Sequence, residues 1–127
     1  MKKLLIFLII LAIGLFYLDQ KTHWITNRTH DIKDVTKPST IVLHKMKVQE
    51  HVHGFYVHVK GYIDGSAKLA IYDDDPSRKY SSDERNISGE VDVEFGGEWY
   101  SDIIRIEYEP KHVKSGELSI EYDFDGW

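Results

Sequence analysis

From Ile41 to Phe124 apolar and polar residues alternate in short runs. A period of two is the signature of strands with one dry and one wet face, and it leaves few folds open. The alternation predicts strands over Ile41–Val48, Phe55–Ile63, Ala67–Asp73, Ile87–Phe95, Trp99–Tyr108 and Gly116–Phe124. In the second of these Phe55, Val57, Val59, Gly61 and Ile63 face inward, while Tyr56, His58, Lys60 and Tyr62 face out. In the fourth, Ile87, Gly89, Val91, Val93 and Phe95 are inside and Glu90, Asp92 and Glu94 outside. Asp73-Asp74-Asp75-Pro76-Ser77 and Gly96-Gly97 are turn sequences between them. No helical period follows residue 40, so βαβ folds are excluded. The expected architecture is all-β, an antiparallel β-sandwich or jelly roll of about six or seven strands, preceded by one N-terminal hydrophobic helix. Val93→Asp or Ile106→Asp is expected to prevent folding.

The chain has 127 residues, enough for one domain, and no cysteine. Disulfide staples, thiolate zinc sites and a cysteine nucleophile are therefore absent, and the core must hold without covalent help. With 16 Lys plus Arg against 21 Asp plus Glu and a net charge of −5, nothing electrostatic points to nucleic acid. The charge is uneven. Residues 84–127 hold 12 acids and 4 bases, which implies one negative face able to attract a basic partner.

Lys2 and Lys3 precede an uncharged apolar run, Leu4 to Leu18, that ends at Asp19. A basic start followed by an apolar segment is an export signal. The only small-x-small tripeptide is Ala12-Ile13-Gly14, and cleavage there would leave Leu15-Phe16-Tyr17-Leu18 as a greasy terminus, which favours an uncleaved anchor over a cleaved signal peptide. Residues 1–19 are accordingly expected to be the anchor or leader, 20–39 a polar tether and 40–127 the folded domain. The positive-inside rule keeps Lys2 and Lys3 in the cytoplasm and sends the rest across, placing the domain in the periplasm or outside the cell. If the leader is cut, the domain is secreted.

Candidate sites are of three kinds. His44, His51, His53 and His58 lie close in sequence. If the first two strands form a hairpin bent at His51, His44 sits across from His58 with Cβ atoms ~5 Å apart, a spacing suited to a divalent metal. Asp73, Asp74 and Asp75 offer hard oxygen ligands for calcium in a turn, without the Gly and bidentate Glu of an EF-hand. Tyr56, Tyr62, Tyr72, Trp99 and Tyr100 are the aromatic candidates for a binding surface, Trp99 also being a natural core residue. There is no G-x-S-x-G, no H-E-x-x-H and no Gly-rich phosphate loop, so no catalytic residue is assigned and no cofactor is expected.

These features together predict a non-catalytic, membrane-anchored extracytoplasmic module that binds another protein through an acidic, aromatic surface, as an envelope accessory or immunity-type protein does. The alternative is a small-ligand module taking carbohydrate through the Tyr/Trp surface or a divalent metal through the histidines.

Overall fold

The computed structural model describes residues 2–73 and 81–126, without the side chains of 16–26. Helix α1 (Lys2–Thr26) comes first, followed by six strands: β1 (Arg28–Ile32), β2 (Ser39–His44), β3 (Val52–Tyr72), β4 (Asp83–Glu98), β5 (Ile103–Lys111) and β6 (Gly116–Gly126). At 21 residues, β3 organises the rest. Drawn straight it would reach about 70 Å at ~3.3 Å per residue, far beyond the diameter of a domain this small. It must bend, and it does so at Asp64 and Gly65. The pairing of β3 with β4 shifts between Ile63 and Ser66, and Gly65 holds φ +137°. A Cβ at Gly65 would lie 2.5 Å from the His112 carbonyl oxygen, so only glycine lets the β5–β6 connection cross the bend so closely. That crossing is fastened by Asp64 N donating to Ser115 O at 2.8 Å and Lys114 N donating to Asp64 O at 3.0 Å.

β4 follows β3 along both arms, from Gly54↔Glu98 to Ile71↔Asp83. The opposite edge of β3 is shared: β6 pairs with the arm before the bend and β5 with the arm after it. β1 adds to β6 and β2 to β5, giving the antiparallel order β1-β6-β3-β5-β2 with β4 alongside β3. The sheet curls over a single buried cluster. Val57, Val59, Ile120 and Phe124 come from one arm and Leu69, Ile71, Ile104 and Ile106 from the other. Two residues are inserted at the bend, so odd-numbered residues of β3 stay inward on both sides of it.

The inward residues predicted for these strands are largely the buried ones, with Val93 only half-buried. Other details differ. Phe55–Ile63 and Ala67–Asp73 belong to one bent strand, because the polar Asp64-Gly65-Ser66 segment is a bulge within a ladder and not a chain reversal. The first predicted strand stops at His44; Gln49 N donates to Met46 O at 2.9 Å in a turn, leaving Val48 exposed. The fifth begins at Ile103, not Trp99. The stretch read as a polar tether continues α1 to Thr26 and then supplies β1, whose Ile32 is buried. Among the described residues no helix is long and apolar enough to cross a membrane. The apolar run 4–18 extends past the described side chains, which end at Leu15.

Candidate functional site

The even-numbered residues of the first arm of β3 point away from the core, and the register assembles a face around them. Tyr62 lies opposite Glu90 on β4 and Glu117 on β6; Lys60 opposite Asp92 and Ser119; His58 opposite Glu94 and Glu121; Tyr56 opposite Gly96 and Asp123. Carboxylates therefore flank both sides of the central strand. Among these residues Lys60 carries the one fixed positive charge.

His58 departs from the sequence expectation of an exposed residue. It is on the outer face yet only 7 % exposed, because the flanking side chains close over the ring. Its Nε2 hydrogen-bonds the Asp92 carboxylate, and its Nδ1 stands 3.9 Å from Glu94 Oε1. The bond to His58 holds the Asp92 carboxyl below the usual carboxylate range. The Tyr56 ring meets His58 edge-on at 6.1 Å. Desolvation, followed by the charges of Glu94, Glu121 and Asp92, pushes the Tyr56 hydroxyl above its ordinary value. Tyr62, 52 % exposed, offers its ring at the other end of the face. The arrangement supplies a field that attracts cations, with two phenol rings as contact points.

The other aromatic candidates lie elsewhere. Trp99 is 6 % exposed, packs on Phe55 with ring centres 4.7 Å apart and donates from Nε1 to Ile103 O at 2.9 Å, so it is a core residue with its polar atom satisfied. Tyr100 is 74 % exposed at the rim of a cleft of about 480 Å³, whose lining includes Phe55, Asp73, Asp83 and Glu98. Tyr72 belongs to the second arm, where the Arg105 guanidinium stacks 4.7 Å from its ring centre.

The proposed hairpin between the first two strands does not form. β2 pairs with β5, placing His44 opposite Ile103 and away from His58; the pairing follows from Ile41 and Leu43 meeting Ile106 and Ile104 in the core. His51 and His53 are exposed at and beside the start of β3. Among the described residues no three His, Asp or Glu side chains are placed to hold a metal ion. Asp73 lines the cleft, and Asp74 and Asp75 lie outside the described residues.

Two polar arrangements, one buried and one half-exposed, escaped the alternation. Gln49, 4 % exposed, donates from Nε2 to Asp123 Oδ1 at 3.2 Å and to the Phe124 carbonyl, and its Oε1 accepts from Met46 N at 3.1 Å. This pins the β2–β3 connection against β6. Arg28 stacks over Tyr122 at 4.8 Å and donates to the His44 carbonyl, tying β1 to the end of β2. Neither has a sequence signature, since each depends on residues far apart in the chain.

No family model and no curated protein match this chain. Among solved structures, one described as "CBM4 structure and function" is 8 % identical with a TM-score of 0.41, covering 69 % of this chain and 61 % of its own. The chain thus spans less than two thirds of that relative. Another, described as "Bacillus endospore appendages form a novel family of disulfide-linked pili", is 8 % identical with a TM-score of 0.42, covering 77 % of this chain and 84 % of its own. Likeness at this level carries nothing of what those proteins bind or assemble into.

Proposed function

We propose that this protein is a non-catalytic binding module, a small β-sandwich whose acidic outer face docks a basic protein. The observation that carries the reading is the pair Tyr56 and Tyr62 set among Glu90, Asp92, Glu94, Glu117 and Glu121 on one face. Tyrosine rings contribute contact area at low entropic cost, and surrounding carboxylates accelerate and orient encounter with a cationic surface. The working location is extracytoplasmic, at the outer face of a membrane. Support comes from α1, where the large apolar residues between Leu4 and Leu15 are 49–64 % exposed, a surface that a bilayer would cover.

The test is affinity purification of the full chain in a mild nonionic detergent, beside a Tyr56→Ala/Tyr62→Ala double variant. The expected partner is basic, is released by salt, and is recovered at least about tenfold less with the variant, since two aromatic contacts contribute on the order of 1–2 kcal/mol each. Equal recovery with an unchanged thermal melt refutes the reading.

A second reading rests on the cleft beneath Tyr100, where an exposed ring beside carboxylates suits stacking on a sugar. A glycan array signal lost in Tyr100→Ala, and retained in the Tyr56/Tyr62 variant, would favour it over protein docking.

A further inference from the structure

β4 is an open edge. Among the described residues β3 is its sole strand partner, so the outward backbone donors and acceptors of a 16-residue strand have no sheet partner. Proteins guard such edges with lysines, prolines, short strands or charges turned inward. The two parts of β4 differ in this respect. Residues 83–88 carry an inward guard: Arg85, on the core side opposite Leu69, lies 5.3 Å over the Phe95 ring and donates to Asp83. Gly89, at φ +62°, stands where the pairing with β3 shifts, between these residues and the rest of the strand. Residues 90–98, about 30 Å of edge at ~3.3 Å per residue, contain no proline, no lysine and no inward charge.

The side chains along this second part state what can pair with it. Glu90, Asp92 and Glu94 repeat on the outer face, and a second copy of the same edge would set like charges against one another. On the inner face Val91 and Phe95 are buried, whereas Val93, between them, is only half-covered, so the core is incomplete along this rim. We infer that residues 90–98 accept an added β-strand from a partner, an extended segment in which basic residues alternate with apolar ones. Its basic side chains meet Glu90, Asp92 and Glu94, its apolar side chains close over Val93, and its backbone pairs with β4. Beyond Phe95, Gly96 and Gly97 leave the edge free of side chains. This inference rests on reading the neighbouring acidic face as a docking surface, and it names the mode of docking and the class of partner.

The probe is the peptide acetyl-Lys-Val-Lys-Val-Lys-Val-Lys-amide, titrated into the full chain in nonionic detergent and followed by NMR and amide hydrogen exchange. Two further peptides carry N-methyl groups on every valine or on every lysine, which removes alternate N–H donors and leaves the charge intact. Binding should slow exchange in residues 90–98, and one methylated peptide should bind at least about tenfold more weakly than the parent. Glu90→Lys/Glu94→Lys should weaken the parent peptide by a similar factor, with the melt confirming that the variant is folded. If both methylated peptides bind like the parent, the attraction is charge alone and strand addition is refuted; absence of binding refutes it equally. The Tyr56→Ala/Tyr62→Ala variant separates the two proposals. Loss of protein capture with peptide binding retained leaves the edge standing, and loss of peptide binding with tyrosine-dependent capture retained leaves only the face.

Discussion

Removing one oxygen atom from Tyr108 isolates a single buried hydrogen bond. The side chain is 1 % exposed, and its hydroxyl donates to the Val35 carbonyl at 2.6 Å, the contact through which β5 holds the β1–β2 connection. Tyr108→Phe keeps the ring and leaves that carbonyl without its partner, at a cost of about 1–2 kcal/mol. For a domain of about 100 residues this lowers the Tm by about 5–10 °C. Melts of the full chain by circular dichroism in nonionic detergent measure the loss, and trypsin should cut faster at Lys33, two residues before Val35. Alkaline pH provides a second signature. Burial, aided by the charge of Asp34, pushes the Tyr108 hydroxyl above its usual value of 10.0. The folded chain thus resists ionisation that the unfolded chain undergoes, so this contribution is complete below pH ~10 and is lost as pH rises through the folded value. Tyr108→Phe should flatten that alkaline decline. A Tm within about 1 °C of the parent, with unaltered cleavage, would show that the hydroxyl does not secure the connection.

Gly61→Ala should be far more damaging than its one methyl suggests. The new Cβ would lie 1.9 Å from the Glu117 carbonyl oxygen, at φ +144°, forcing β3 and β6 apart at a backbone that cannot swing aside. A loss above ~4 kcal/mol or insoluble protein is expected, whereas Gly89→Ala, with nothing within 4 Å of its Cβ, should cost only about 1–2 kcal/mol for its left-handed φ. Ile106→Asp should abolish the cooperative melt, because it puts an unpaired carboxylate at a site 1 % exposed. Val93→Asp should fold with a lowered Tm, since its side chain reaches water at the β4 rim.

Much of the strand content was legible because alternation needs only neighbours: Val57, Val59, Ile104, Ile106, Ile120 and Phe124 announce their inward faces within a few residues. Pairing was not legible. Ile41 and Leu43 match any apolar strand equally well, and the preference for β5 over a local hairpin with β3 reflects how the whole sheet closes. That choice placed His44 opposite Ile103 and away from His58. The acidic face was half visible. Each outward carboxylate could be assigned to its strand, but the burial of His58 between Asp92 and Glu94 needed the register of β3 against β4. Trp99 shows the reverse case: its size marked it for the interior, and its Nε1 finds a carbonyl only four residues on.

The insertion of Asp64 and Gly65 gives β3 something like a reading frame. Natural or engineered length changes at this corner should survive in steps of two. Deleting a single residue would rotate everything downstream by half a pleat, driving Lys68 inward and Leu69 into water, and no local repair short of a compensating deletion would restore the phase. Variation in chain length at this one corner is therefore expected to be even-numbered, a regularity that a library of insertions would expose without any structure being solved.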